Sequence, residues 1–417
     1  MEEWKEYKLR DFLLIPIRNG LTKPSAIRGQ GVKMIGMKEI FAMDYIRSVE
    51  MDRVPVTNKE YESSEIMKYD LLFARQSLTL EGAGKCSIVV SVDEPTVFES
   101  HLIRLRIDTK KANPFFIYYY YKSSIGKNQI KSLVQQVAAA GIRGKELIEL
   151  GIKVPHIEKQ NQIASILKSL DDKIEANRKT NEILEQQAQA LFKSWFVDFE
   201  PFKNGEFVES ELGRIPIGWR VGTLGEIGDI VGGSTPSKSK PEYYTDKGIA
   251  WLTPKDLSIS NNKFTSKGEI DITEEGYKSC STKLMPKGSV LFSSRAPIGY
   301  ITIAKNDICT NQGFKSVVPK LAGTAFIYFF LKLSTKDIEN KATGSTFKEA
   351  SGALMKSLQL IIAPERILHD FESLMKPLFT QQDVLEDESR CLAELRDTLL
   401  PKLMSGELKV NEIEDVL

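Results

Sequence analysis

The chain has 417 residues, 41% of them hydrophobic, and a formal net charge of +1. A chain of this length is expected to form two or three domains with their own cores. Its N-terminal MEEWKEYKLRDF lacks the basic start and apolar stretch of a signal peptide, and no apolar run approaches the roughly 20 residues of a membrane span. The four cysteines form no CxxC pair and there are three histidines, which favours a cytoplasmic protein without a structural metal.

One sequence plan occurs twice along the chain. The stretch FIYYYYKSS (116–124) recurs 210 residues later as FIYFFLKLS (326–334). Three further matched pairs keep the same order along the two copies. Trp4 and KLRDF correspond to Trp219 and TLGEI, LLFAR (71–75) corresponds to LFSSR (291–295), and GIKVP (151–155) corresponds to QLIIAP (359–364). Repetition on this scale predicts two tandem copies of one domain. The helical spacing of the aromatic stretches favours core packing over base stacking.

Each copy ends in a long heptad pattern, which is typical of a coiled-coil seam. The first helix, predicted from about residue 158 to 197, would be roughly 60 Å long. The second contains Pro377, which is expected to kink or locally open it. Two such helices in one chain are expected to pair with each other. The first seam comprises Ile163, Leu167, Leu170, Ile174, Asn177, Asn181, Leu184, Ala188, Leu191 and Trp195. The second comprises Phe371, Leu374, Leu378, Gln381, Leu385, Glu388, Leu392, Leu395 and Leu399.

Charge is divided unevenly between the helical and globular segments. Residues 156–200 and 365–417 together carry a net charge of −9, and the remaining residues carry +10. Acidic residues on a helix can simply solvate its surface. Together with the repeat, however, the division favours two basic globular heads on an acidic rod, and a basic head is a candidate for nucleic-acid binding.

Catalytic motifs are absent from the sequence. EGAGKC (81–86) lacks the first Gly and the final Ser or Thr of a phosphate-binding loop, and it is better explained as a loop-shaping segment. There is no methyltransferase motif, no HExxH and no convincing nuclease cluster. The sequence therefore predicts a binding and organising protein with no catalytic residue and no cofactor of its own.

Several motifs resemble the specificity subunit of type I restriction-modification systems. They are ALFKSWFVDFEPF (190–202), the following GxIPxGW, RAPIGY (295–300), NQGFKS (311–316), GSTF (344–347) and LRDTLLPKLMSGEL (395–408). The resemblance implies an α+β fold in which two tandem α/β target recognition domains are separated by two long helices that form an antiparallel coiled coil, with an internal pseudo-two-fold repeat. It places the recognition domains at 1–155 and 219–364, the spacer helices at 156–200 and 365–405, a linker at 201–218 and a tail at 406–417.

The same resemblance implies the partners. Each recognition domain would read one half of a split double-stranded DNA target. Two methylation subunits, which bind S-adenosylmethionine, and restriction subunits, which use ATP and Mg, would assemble around the helices. Aromatic residues off the seam are predicted to dock a methylation subunit, with a matching surface in the second copy. These docking candidates are Phe192, Phe196, Phe199, Leu400 and Leu403.

Candidate DNA contacts follow from residue chemistry and from matched positions. Arg75 and Arg295 each follow an apolar LF pair and are predicted to be equivalent. An arginine there can contact guanine or hold a phosphate, or it can pair with a local carboxylate. Thr235 and Lys238 lie in a Gly/Ser loop that either wraps a phosphate or is merely mobile. Weaker candidates are Gln76, Ser77, Thr79 and Lys85 in the first copy and Ser293, Ser294, Asn311, Gln312, Thr346 and Lys348 in the second.

Two other classes of function are compatible with these patterns. The chain can be a tether whose heads bind proteins, or an enzyme with an unrecognised nuclease site. A salt series separates them, because phosphate binding weakens steeply and linearly in log salt.

Overall fold

The computed structural model describes residues 4–136, 140–259, 262–344 and 348–410, and it divides into two compact units. The first unit comprises Met1–Ile174 together with Cys391–Leu417, and the second comprises Glu175–Arg390. Two long helices contribute to both units, namely the central helix Ile157–Phe196 and the C-terminal helix Glu365–Ser405. These are the helices that the heptad patterns predict.

The first unit is built on a five-stranded sheet. Its strands lie in the order Arg18–Asn19, Leu102–Leu105, Leu71–Ala74, Cys86–Val89 and Tyr45–Ile46. Neighbouring strands are antiparallel except the last pair, which is parallel. The smaller sheets are Arg53–Val54 with Val32–Ile35 and Thr96–Phe98, Gln135–Gln136 with Ala140–Gly141 and Gln76–Ser77, and Lys5–Lys8 with Gly151–Val154. The helices are Leu9–Phe12, Ser25–Ile27, Met37–Ala42, Asn58–Ser64, Pro114–Lys122, Ser124–Leu133 and Gly144–Leu147.

The second unit repeats this plan. Its five-stranded sheet has the order Gly228–Gly232, Lys315–Pro319, Val290–Ser294, Ile298–Ala304 and Phe264–Thr265, again with one parallel pair at the last edge. Two-stranded pairs are Arg220–Thr223 with Gln359–Ile362, Tyr244–Thr245 with Asp271–Ile272, Trp251–Leu252 with Cys309–Thr310, and Phe207–Ser210 with Gly213–Pro216. The shorter helices are Glu200–Phe202, Leu224–Ile227, Pro241–Tyr243, Pro254–Ile259, Glu274–Lys278, Thr324–Lys341 and Gly352–Lys356. The shared strand order confirms the predicted internal repeat.

The tyrosine-rich stretch forms the helix Pro114–Lys122 in the first unit. Asn113 caps it, because its side-chain oxygen accepts hydrogen bonds from the amides of Phe115 and Phe116, and Pro114 occupies the first turn, where no amide donor is needed. All four tyrosines are buried, and Phe116 lies in the same core. The interpretation of this stretch as core is confirmed.

Within the first unit, the two long helices pair in antiparallel fashion. Ile163 and Leu167 of the central helix belong to one apolar core with Leu403 of the C-terminal helix. Further along, Asp171 and Arg396 form an ion pair of 2.6 Å. Residue numbers rise on one helix as they fall on the other, which is the antiparallel arrangement that the resemblance implies.

Within the second unit, polar side chains join the same two helices. The Nδ2 of Asn177 donates to a carboxylate oxygen of Glu388 at 2.8 Å, and the Nδ2 of Asn181 donates to the carbonyl of Gln382 at 3.3 Å. Asn177 is almost fully buried. Buried polar seam residues restrict the register of a helix pair, because a shifted register leaves them without partners.

The predicted seam of the C-terminal helix is one residue out of phase over part of its length. Leu374 and Gln381 are exposed, whereas Met375, Phe379 and Gln382 are buried. The prediction for the first two positions is therefore wrong. The helix also continues without interruption through Pro377, which is exposed.

The aromatic residues predicted to dock a partner are covered by the chain itself. Phe192, Phe196 and Phe199 are each less than 10% exposed, and they pack in the core of the second unit against Phe326 and Trp219. Phe192 and Phe196 are four residues apart on one face of the central helix, and that face is turned toward the globular part of the unit. Phe199 lies beyond the end of the helix, with a left-handed backbone, and packs into the same core. The prediction that they dock a methylation subunit is therefore wrong.

The matching prediction at the C-terminus is wrong for the same reason. Leu400 and Leu403 are buried in the core of the first unit, where they lie with Phe116 and Ile163. In the second unit Trp195, which the seam predicts to be ordinary core, is only partly buried. The side chains that cover the aromatic stretch are thus those of the chain's own globular part.

Candidate nucleic-acid interface

In the first unit, the strand Leu71–Ala74 ends at a group of polar side chains. The amide of Arg75 donates to the carbonyl of His101 at 2.7 Å, and its guanidinium donates to a backbone carbonyl, that of Ser100, at 3.3 Å. Gln76 follows on a short strand where it pairs with Gly141. Its Oε1 lies 2.9 Å from the Nδ1 of His101. The strand end thus presents an arginine and an amide, both half-buried.

In the second unit, the strand Val290–Ser294 ends in the same way. The amide of Ser294 donates to the carbonyl of Gly313 at 2.7 Å. Arg295 then forms an antiparallel bridge with Glu349. Its Nη1 lies 3.4 Å from a carboxylate oxygen of Glu349, and both side chains are about one third exposed. Of the predicted alternatives for Arg295, pairing with a local carboxylate is therefore the one present in the structure.

These backbone hydrogen bonds correct the predicted equivalence of the two arginines. The backbone amides of Arg75 and Ser294 donate hydrogen bonds at the same position of the two sheets. The residues that follow them, Gln76 and Arg295, each form a β-bridge. Arg75 therefore corresponds to Ser294, and Arg295 corresponds to Gln76. The prediction is wrong by one residue, because the sequence match was anchored on the arginines and not on the LF pairs before them.

Arg295 lines a cavity of about 580 Å³ in the second unit. Four other predicted residues line the same cavity, which brings together side chains that are up to 77 residues apart in sequence. These four are Thr235, Lys238, Asn311 and Gln312. Two aromatic residues that the sequence does not single out, Tyr244 and Trp251, complete one wall.

The polar walls of this cavity are held by local hydrogen bonds. The hydroxyl of Thr235 donates to the side-chain oxygen of Gln312. The Oδ1 of Asn311 accepts from the amide of Gly313 at 2.8 Å. A Cβ at Gly233 would lie 2.1 Å from the carbonyl oxygen of Asn311, so the loop can approach this closely only with glycine. Thr235, Asn311 and Gln312 are therefore held in place by contacts within the chain.

Ser293 and Ser294 do not belong to the exposed site. Both are fully buried. The hydroxyl of Ser293 donates to the carbonyl of Pro297, and that of Ser294 donates to the carbonyl of Gly313. The prediction that they contact DNA is wrong, because neither side chain has surface to offer in this structure.

Two predicted residues of the second copy stand apart from the cavity. Lys348 is exposed, and its ammonium donates to the carbonyl of Glu339 at 3.3 Å. Thr346 lies outside the described residues.

The loop after Gln76 in the first unit is ordered by its own polar residues. The hydroxyl of Ser77 accepts from the amide of Thr79 at 3.1 Å, and that of Thr79 accepts from the amide of Gly82 at 3.2 Å. The ammonium of Lys85 donates to the carbonyl of Phe41 at 3.0 Å. Burial lowers the pKa of Lys85. This lysine supports the loop and lies at its base.

Leu78 is the residue of this loop that sequence reasoning missed. It is fully exposed, and Leu80 beside it is nearly half exposed. An apolar side chain held out on a hydrogen-bonded loop can contact a thymine methyl group or wedge between bases. The sequence signal that could have identified Leu78 is the LTL segment (78–80), because it places two leucines inside a polar loop.

Among the residues that the structure describes, no group of three or more His, Cys, Asp or Glu side chains is arranged to hold a metal ion. In the same ranges, every helix is too short or too polar to cross a membrane.

A protein-family model described as "Type I restriction modification DNA specificity domain" matches residues 1–186 and 216–369. Over 191 residues the chain is 39% identical to the type I restriction enzyme MjaIX specificity subunit of Methanocaldococcus jannaschii, an alignment that covers 43% of this chain and 44% of that subunit. The chain thus spans less than half the length of that relative. It is 26% identical over 427 residues to the putative MjaX specificity subunit of the same organism, with 98% of this chain and 94% of the relative covered.

The fold also has a solved counterpart. The crystal structure of the S subunit of a type I restriction-modification system from M. genitalium superimposes with a TM-score of 0.60 at 17% identity, and 96% of each chain is covered. At that identity the likeness concerns the fold alone.

Proposed function

The chain belongs to the type I restriction-modification DNA specificity family, and we propose that it is the DNA-recognition subunit of such a system. In this proposal each unit reads one half of a bipartite duplex target. The observation that carries the proposal is the repetition of one five-stranded sheet, each copy with polar side chains where its central strand ends. A single reader needs one such site, whereas a split target needs two.

The side chains at these sites have the chemistry of base and phosphate recognition. Arginine and amide side chains contact the edges of guanine and adenine in the major groove, and hydroxyl and ammonium groups bind phosphate oxygens. Arg75 and Gln76 supply this chemistry in the first unit, and Leu78 adds an exposed apolar side chain. Arg295 and Asn311 supply it in the second, with Lys238 beside them.

The distribution of charge supports the same proposal. The globular segments carry a net charge of +10, whereas the segments that contain the long helices carry −9. A positive field over the recognition units attracts phosphates, and a negative field over the helices disfavours them there.

Partner subunits would supply the catalysis. Two methylation subunits would bring S-adenosylmethionine, and restriction subunits would bring ATP and Mg, while this chain supplies the target. Because the predicted docking aromatics are buried, docking would use exposed positions of the helices. Ile183, Leu374 and Val384 are the large hydrophobic side chains exposed there, among the described residues of the second unit.

The test is a binding experiment with a purified complex of this chain and its methylation subunits. Binding to a randomised duplex library should select a bipartite sequence, and the observed binding constant should fall linearly in log–log plots against salt. The chain alone is expected to bind duplex DNA weakly and without specificity. A complex that selects no sequence would refute the proposal, and DNA cleavage by the chain alone would point to the nuclease alternative.

A further inference from the structure

One backbone position has different chemistry in the two units. This position follows the equivalent residues Arg75 and Ser294. It is occupied by Gln76 in the first unit and by Arg295 in the second. The bridging residue opposite also differs, since it is Gly141 in the first unit and Glu349 in the second. The backbone position is thus the same in the two units, whereas the hydrogen-bonding groups of its side chain differ.

The environment of Gln76 suits an adenine edge. Adenine presents the N7 acceptor and the N6 donor in the major groove, and a glutamine amide matches both. Its Oε1 lies 2.9 Å from the Nδ1 of His101, which fixes the direction of the amide. One lone pair of that oxygen and both amide hydrogens then remain for a ligand. The side chain is half-buried at the base, so little rotamer freedom remains to be lost on binding.

The environment of Arg295 suits a guanine edge. Guanine presents two acceptors, O6 and N7, which the planar guanidinium fork matches with two donors. Glu349 lies 3.4 Å from one guanidinium nitrogen and 3.2 Å from the ammonium of Lys315. One carboxylate thus serves two cations, and the local charge stays positive. Arg295 also lines the 580 Å³ cavity.

A purely structural ion pair explains these facts less well. If an ion pair between the bridging residues were needed to fold the strand end, the first unit would need one at the same place, yet the bridging residues there are Gln76 and Gly141. The pair is also about one third exposed, and exposed ion pairs contribute little to stability.

We propose that this position determines specificity in both units, with Gln76 reading an adenine of one half-site and Arg295 reading a guanine of the other. The inference rests on the proposed function and goes further, because it assigns a base type to each residue. His101 and Glu349 act as positioning residues, each holding the reading side chain in one orientation.

The experiment uses the complex of the full chain with its methylation subunits and a randomised duplex library. The variants are Gln76→Arg, Gln76→Asn, Arg295→Gln and Arg295→Lys. The controls make the same chemical changes at exposed helix positions, as Gln162→Arg and Arg366→Gln. Selected sequences are read for the wild type and for each variant, and binding to a fixed non-cognate duplex is measured in parallel.

The expected result is a change at one base pair of one half-site per variant. Gln76→Arg should favour guanine where the wild type selects adenine, and Arg295→Gln should favour adenine where it selects guanine. Gln76→Asn and Arg295→Lys should lower the preference at the same base pairs by about 5- to 150-fold, which is the worth of one bidentate contact. The controls should select the wild-type sequence.

Two outcomes overturn the inference and leave the proposed function intact. The first is an unchanged selected sequence in all four variants. The second is an equal loss of binding to cognate and non-cognate DNA in all four, which would make both residues phosphate contacts. If the wild-type complex itself selects no sequence, the proposed function fails and the inference fails with it.

Discussion

The side chain of Lys263 joins the globular part of the second unit to both long helices, and its removal should destabilise that unit. Its ammonium lies 2.7 Å from a carboxylate oxygen of Glu185 and 2.8 Å from the side-chain oxygen of Gln382. It also lies 3.5 Å from the ring centroid of Phe379. The side chain is only 7% exposed, and burial lowers the pKa of Lys263 to about 8, although Glu185 opposes the shift.

We expect Lys263→Met to lower the free energy of unfolding by about 3 kcal/mol. Breaking a buried ion pair by removing one partner costs about 3–5 kcal/mol, because the other charge stays buried. The low end applies here, since Glu185 keeps its contact with Lys332 and methionine packs well against aromatic rings. The matched control is Lys320→Met, whose pair with Asp229 is half exposed and should contribute about 0–1 kcal/mol.

Urea unfolding followed by tryptophan fluorescence measures this difference. Three of the four tryptophans, Trp195, Trp219 and Trp251, lie in the second unit, so the signal reports mainly on it. With a urea dependence of about 1–3 kcal/mol per molar, the midpoint should fall by about 1–3 M. A Lys263→Met midpoint within experimental error of the Lys320→Met midpoint would refute the reasoning.

Three other predictions concern DNA binding and pH. Arg75→Ala should weaken binding of the assembled complex to all duplexes alike and reduce the log–log salt slope by about one, as for a phosphate contact; loss confined to one base pair would contradict this. Leu78→Asn should lower DNA affinity without shifting the melting temperature, because the side chain is fully exposed; a shifted melting temperature would mean that Leu78 packs in solution. Burial raises the pKa of Glu386 to about 7. The folded state therefore binds a proton on this carboxylate more tightly than the unfolded state does, and the free energy of unfolding should rise as pH falls from about 7 toward 4.5. Glu386→Gln should flatten that part of the profile, and an unchanged profile would argue against the assignment.

The repeat and the two long helices could be predicted because their signals are local. Heptad spacing and a recurring FIY stretch survive in the sequence whatever surrounds them. The phase of a seam is harder to predict, because spacings of three and four residues both fit a helix. Leu374 and Met375 are adjacent apolar residues, and only the packing decides that Met375 is buried.

The candidate site was predicted in part. Loop position and residue chemistry identify Thr235, Arg295, Asn311 and Gln312, and the structure brings them to one cavity. Burial could not be predicted for Ser293, because a serine at a strand end is compatible with either face. Nor could the sequence show what covers the aromatic face of the central helix, because a domain of the same chain and a partner subunit would pack against the same residues.

The division of the chain has a consequence for the order of synthesis. The second unit is one continuous segment, Glu175–Arg390, whereas the first unit needs Cys391–Leu417 as well as its N-terminal part. Leu400, Leu403 and Val410 are buried in the core of the first unit. On the ribosome, the unit that begins first therefore completes its core last, after the other has emerged, and a chain truncated near residue 390 would expose that core to chaperones and proteases.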